Sequence, residues 1–99
     1  MLNYKESADP TEILERYPNA VVLIHEWAWT IPHTEGGLLR GVNFDTKLGI
    51  AVLSYDSARG SRRKNIDLTE VKEASWNRAE TEFTFTNGDG VTVTIVPLD

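Results

Sequence analysis

Apolar and polar residues alternate with a period of two along most of the chain, and the one helical stretch comes near its start. Asp9-Pro10-Thr11-Glu12 forms a helix start, with Asp9 suited to the N-cap and Pro10 to the first helical position, and Glu12 spaced to reach back to the Asp9 amide. Ile13, Leu14 and Tyr17 supply one apolar face, and Pro18-Asn19 stops the helix about two turns after it begins. Residues 1–8 are polar and aperiodic, and are expected to be flexible.

From Ala20 to Ile31 the alternation predicts the strongest strand of the chain. Val21, Leu23, His25, Trp27, Trp29 and Ile31 share one face; Val22, Ile24, Glu26, Ala28 and Thr30 share the other. The second face starts apolar and turns mixed, so the first is expected to point to the core, with His25 as a hydrogen-bonded core residue. Ile31-Pro32 through Gly36-Gly37 reads as a loop, because proline removes a ladder donor and paired glycines relax the backbone.

Leu38 to Phe44 and Leu48 to Tyr55 read as two strands joined at Asp45-Thr46-Lys47. A polar loop, Asp56 to Asn65, contains SARGSRRK. In NIDLTEVKEASW, Asp67 and Glu70 suit a helix cap, while Ile66, Leu68, Val71 and Trp76 fit a strand, a turn and a second strand equally well. The closing segment is a β-hairpin: Phe83 and Phe85 alternate into Val91, Val93 and Ile95 across Asn87-Gly88-Asp89-Gly90.

These elements predict a single domain over residues 1–99, mainly β with one short N-terminal helix. Its architecture is a small bent antiparallel sheet of five or six strands or an SH3-like barrel. The expected core is Ile13, Leu14, Val21, Leu23, Trp27, Val42, Phe44, Ile50, Val52, Phe83, Phe85, Val93 and Ile95. Apolar residues on the second faces, such as Val22, Ile24, Leu39, Leu53 and Tyr55, require the sheet to curl or be covered.

The string LRGVNFDTKLGIAVL, Leu39 to Leu53, resembles the first motif of Sm-like proteins over about one-sixth of the chain. In that family a helix precedes a five-stranded SH3-like barrel, a Leu-x-Gly step bends one strand and an Asp opens the next turn. The resemblance gives Gly41 and Asp45 those parts. Three residues separate Gly41 from Asp45 where the family has one, and Gly49 stands where the family has its RNA-contacting Asn, so the resemblance implies an architecture and no RNA-binding residue.

Charge changes the picture more than composition does. The net charge is −5, yet Arg59, Arg62, Arg63 and Lys64 place four of the ten basic residues within six positions that contain no acid. The other six basic residues face all 15 acidic ones, a balance of −9. An acidic body repels an extended phosphate backbone but leaves a local phosphate or carboxylate contact open at the basic segment, where Arg binds bidentately and Lys as a point charge. The alternative is a solvated segment paired with the protein's own acids. Four like charges around Gly60 predict a loop that a partner orders.

The chain has no Cys, which excludes thiol nucleophiles, disulfides and cysteine-ligated metals and fits a reducing, cytoplasmic setting. Its longest apolar run, Ala20 to Ile24, is far too short to span a bilayer, and the expectation is no membrane partner. Only two histidines are present, and His25 and Glu26, as strand neighbours, point to opposite faces. His33 and Glu35 are close enough to share a ligand but are two groups rather than a zinc site. No nucleophile elbow, Walker loop or dinucleotide fingerprint occurs.

The sequence therefore predicts no catalytic residue, no metal and no cofactor. It predicts a small acidic interaction protein that docks on a protein partner, an inhibitor or regulator of the kind found in phages and mobile elements. The candidate contact residues are Arg59, Arg62, Arg63, Lys64 and Trp29. A phosphate, nucleotide or RNA module using residues 59–64 is the alternative, and a small enzyme of unrecognised type is the second. Homo-oligomerisation is expected, through an Ala20–Ile31 edge guarded only by Glu26 or through the exposed Trp29 region.

Overall fold

The computed structural model describes residues 9–98. Helix α1, Pro10–Arg16, is followed by seven strands: β1 Ala20–Ala28, β2 Ile31–Asp45, β3 Ile50–Ser57, β4 Gly60–Asp67, β5 Val71–Trp76, β6 Phe83–Asn87 and β7 Thr92–Pro97. They form one antiparallel sheet in the order β4-β3-β2-β1-β7-β6-β5. The mainly β class with one short helix is as expected; the strands number seven, and the ladder is open, with β4 and β5 as its edges. Residues 1–8, expected to be flexible, lie outside the described part.

The helix begins as its sequence dictates, with the Asp9 carboxylate accepting the Thr11 amide and Pro10 in the first turn. Glu12 pairs with Arg16 one turn on, at 2.9 Å. Ile13 and Leu14 are buried.

The sheet folds back on itself at β2. Residues 31–38 of this 15-residue strand pair with β1, and from Leu38 onward its other side pairs with β3. Gly36 and Gly37 sit at that crossing. A Cβ on Gly37 would lie 1.7 Å from the Asp56 carbonyl oxygen, and one on Gly36 would lie 2.0 Å from that of Val22. The glycine pair thus marks a close approach of backbones inside a strand. Pro32 is tolerated because this part of β2 has no ladder on its β3 side. Beyond the crossing, a bulge between Leu39 and Gly41 bends the strand again, and the Asp45 carboxylate accepts the Lys47 and Leu48 amides to turn the chain into β3.

Curling also follows from the topology. Six steps of about 4.8 Å would hold the edges of a flat seven-stranded sheet about 29 Å apart, whereas residues 68–70, which join edge strands β4 and β5, span at most about 15 Å. The sheet must bring one end of its two edges together. Backbone bonds from Leu68 to Gly49 and from Gly88 to Glu70 fasten that end.

One buried cluster fills the interior: Ile13 and Leu14 from α1, Ala20, Val22 and Ile24 from β1, Leu39 from β2, Ala51, Leu53 and Tyr55 from β3, Ile66 from β4, Phe83 and Phe85 from β6, and Val93 and Ile95 from β7. The inward faces of β1 and β3 are therefore the opposite of those expected. Val21, Leu23, His25 and Trp27 point outward, and Ile50 and Val52 are half-buried on the outer side of β3. Trp27 is 61% exposed; among the tryptophans it is Trp76 that packs against the core, edge-on to Phe83 and Tyr17. Val42 and Phe44 are partly buried against the cluster, as is Val91.

Two further expectations change. Strand β1 lies between β2 and β7 and is no edge over Ala20–His25. The segment SARGSRRK is a hairpin turn and a strand: Ser57 pairs with Gly60, and β4 stays in register with β3 as far as Asp67. The Ser57 hydroxyl donates to the Gly60 carbonyl and accepts the Arg59 amide, which holds the turn that four like charges oppose. Residues 66–76 resolve as the end of β4, a turn and β5, and the helix alternative does not form.

Candidate functional site at the open end of the sheet

The end of the fold opposite the 68–70 link is splayed. There the β1–β2 hairpin runs past its neighbours, since β7 pairs with β1 only as far as His25, and the β3–β4 turn faces it. Between the two hairpins lies a cleft of about 290 Å³ lined by His33, Thr34, Glu35, Gly36, Ser57, Ala58, Arg59 and Arg62.

Strand parity decides which groups face the interior at this end, of which Glu35 and Arg62 line the cleft. Glu26 and Glu35 stand on the inward faces of β1 and β2, continuing the row of Val22 and Ile24 past the apolar core, and Tyr55, Arg62 and Lys64 stand on the inward faces of β3 and β4. Two polar contacts then tie the folded halves of the sheet together. The Tyr55 hydroxyl donates to Glu35 Oε1, and Lys64 Nζ lies 2.8 and 3.0 Å from the two Glu26 carboxylate oxygens. His33 Nε2 sits 3.2 Å from the other Glu35 oxygen.

The hydrogen bond from Tyr55, then that from His33, holds the Glu35 carboxyl below the ordinary carboxylate range, and the Arg62 charge acts in the same sense. Tyr55 is pushed well above the ordinary phenol range by burial and then by its bond to Glu35. At neutral pH the Glu35 carboxyl lining the cleft is thus ionised, and the Tyr55 phenol that donates to it from the core is neutral.

The four basic residues of the 59–64 segment separate. Lys64 is taken up by Glu26. Arg59 lies in the turn and Arg62 on the inner face, both lining the cleft, while Arg63 is on the outer face; among the described residues none of these three guanidiniums forms an ion pair. Arg40, outside the segment, holds Asp56 at 2.6 Å and lowers its carboxyl.

Trp29 stands apart from the cleft at the tip of the β1–β2 hairpin. It is 98% exposed and has a positive φ of 64°, a backbone region that favours glycine. Trp27, 61% exposed, lies on the outer face, where Leu23 and Leu38 extend the apolar surface, and Ile31, 68% exposed, lies by the β1–β2 register on the opposite face of the hairpin. Four positions separate Trp29 from His33, so the tip stands about 10 Å beyond the cleft.

The sequence singled out Arg59, Arg62 and Trp29 as contact residues and His33 with Glu35 as neighbours, which the structure brings to this end, but Tyr55 and Glu26 were missed. Alternation alone could have found Tyr55 and Glu26 once the inward faces were fixed. His25 makes a 2.7 Å hydrogen bond to Thr34, yet does so on the outer face and edge-on to Trp27, not in the core. Among the described residues no three His, Cys, Asp or Glu groups are placed to hold a metal ion, and no helix is long and apolar enough to cross a membrane.

The class these features define is a curled, open antiparallel sheet with a charged cleft at its splayed end and an aromatic hairpin tip beside it. No protein-family model, curated protein or solved structure matches the chain. No family model supports the Sm-like resemblance, and the open seven-stranded ladder is not the five-stranded barrel it implied; Gly41 lies at the β2 bulge and Asp45 opens the β2–β3 turn.

Proposed function

We propose that the protein is a non-catalytic docking module, an inhibitor or regulator that binds a protein partner through its splayed end. The observation that carries the reading is Trp29, 98% exposed at a hairpin tip with Trp27 and Ile31 beside it. Large apolar groups in water at a projecting point are costly to display unless something covers them. Tryptophan with arginine is also the composition that dominates binding energy at protein interfaces.

The partner this surface fits is a protein with an apolar pocket for the tip and carboxylates for Arg59, Arg62 and Arg63, which form no ion pair among the described residues. The barrel-like curl of the sheet keeps both hairpins at one end. Nucleic acid fits less well, because the rest of the molecule carries −9 and Glu35 stands inside the cleft. The absence of cysteine suits a cytoplasmic setting.

The test captures partners from the native host, identifies the retained protein, purifies it and measures its affinity for three forms of the chain. Trp27→Ala/Trp29→Ala and Arg59→Ala/Arg62→Ala/Arg63→Ala should each weaken binding at least about tenfold while melting like the parent. Equal binding by all three forms, or retention of nucleic acid alone, overturns the reading. Light scattering on the same samples tests the competing use of the tip: loss of a dimer in the tryptophan variant assigns it to self-association.

A further inference from the structure

We propose that the free edge of β4 takes up an extended acidic segment of the partner as an eighth strand of the sheet. The proposal rests on the docking reading and adds how the partner is held.

The two edges of the sheet are built differently. β5 is short, and its ladder is interrupted between Lys72 and Ser75, with Glu73 at a φ of 52°. A bulge of that kind blunts an edge against further pairing. β4 has no such guard: its eight residues contain no proline and keep unbroken register from the Ser57–Gly60 pair to the Ile50–Asp67 pair. Residues 60–63 and Asn65 are exposed. Along such an edge every second residue turns its N–H and C=O away from the sheet, which is the template for strand addition.

Charge selects the occupant. Arg62 lies on the inner face and Arg63 on the outer, neither in an ion pair among the described residues, whereas Lys64 is held by Glu26. A β4 strand from a second copy would set arginines against arginines, and like charges opposite one another oppose pairing. Two consecutive acidic residues on an incoming strand would instead point to opposite faces, one carboxylate beside Arg62 and the next beside Arg63. The chemistry recognised is therefore an extended β-forming segment with adjacent acidic residues.

The probe is a fluorescent octapeptide, Thr-Val-Thr-Glu-Asp-Val-Thr-Val, tested against the full chain. Two control peptides keep its charge but are N-methylated on one or the other set of alternate residues, and a third replaces Glu-Asp by Gln-Asn. Strand addition predicts slowed amide exchange within residues 60–67, loss of binding for at least one N-methylated peptide, and weaker binding of the neutral peptide. Arg62→Gln/Arg63→Gln should weaken the parent peptide by about 2- to 30-fold, the range for two cross-strand charge pairs. Binding of both N-methylated peptides as tight as that of the parent peptide, protection confined to other strands, or no protection of β4 at millimolar peptide overturns the proposal. Trp27→Ala/Trp29→Ala should leave peptide binding unchanged, so a failure here is separable from failure of the docking reading, which is judged with the purified partner.

Discussion

Replacing Tyr55 by Phe removes one hydroxyl from the place where the two halves of the sheet are tied. The ring is 1% exposed and keeps its packing with the core, so the substitution isolates the bond to Glu35. A hydrogen bond to a charged group contributes about 1.5–3 kcal/mol when well buried. The Glu35 side chain is 33% exposed and water can replace the lost donor, which places the cost near the lower end, about 1–1.5 kcal/mol. At about 2.1 cal/mol/K per residue, this lowers the melting temperature by about 5–7 °C for a chain of 99 residues.

The pH dependence identifies the cause. The Glu35 carboxyl is lowered in the folded state, so its contribution is complete above the unfolded value of about 4.3 and is lost as pH falls through the folded one. Tyr55 is raised, so its contribution is complete below about pH 10 and is lost as pH rises through the folded value. Urea titrations of parent and Tyr55→Phe should show a stability gap that is flat from about pH 5 to 9 and narrows on both sides, as pH falls below about 4.3 toward the folded Glu35 value and as it rises above about 10. A gap of equal size at pH 3 and pH 7 would refute the argument, because the hydroxyl would then act without the ionised carboxylate.

Three other outcomes are expected from stability measurements. Ile24→Ala should cost about 2–5 kcal/mol, while Trp27→Ala on the outer face stays within about 0.5, the order that checks the assignment of the β1 faces. Gly37→Ala should destabilise by at least about 2 kcal/mol, since its Cβ meets the Asp56 carbonyl at 1.7 Å, whereas Gly41→Ala, with open space around it, should be nearly neutral. Lys64→Met should lower stability by about 0.5–1 kcal/mol through loss of the pair with the half-buried Glu26, and Arg63→Ala, with no ion pair to lose, should leave stability unchanged in thermal melts.

Local chemistry was legible where one short-range force decides the outcome. Asp9 caps α1 and Asp45 opens the β2–β3 turn, each through a side chain acting on its own neighbourhood, and the last hairpin turns at Asn87–Gly90 with Gly90 at a positive φ of 80°, although the Asn87 carboxamide that accepts the Asp89 and Val91 amides there was not foreseen. The faces of β1 were not legible, because both alternating rows are apolar. The turn of the second row to Glu26 and Thr30 favoured Val21, Leu23 and Trp27, yet the row Ala20, Val22 and Ile24 fills the core and its Glu26 is paired by Lys64 from across the fold. Glycine misled for a related reason: Gly36-Gly37 reads as a flexible turn, whereas its role is to let two backbones cross, a fact held by the distant Asp56 and Val22.

The basic segment shows where composition stops being informative. Charge repulsion among Arg59, Arg62, Arg63 and Lys64 argues for a loop, but strand alternation sends Arg62 and Lys64 to one face and Arg63 to the other, and Glu26 neutralises Lys64 from across the fold. Repulsion is thereby reduced enough for the eight-residue β4 ladder to form. The same alternation divides the work of the segment. Lys64 joins Glu26, and with Tyr55 and Glu35 ties the folded sheet together; Arg62 and Arg63, on opposite faces of an open edge, stay outside that structural tie. Stability and recognition thus fall on different residues of one short basic run, which is why Lys64 and Arg63, adjacent in sequence and equal in charge, are expected to respond differently to substitution.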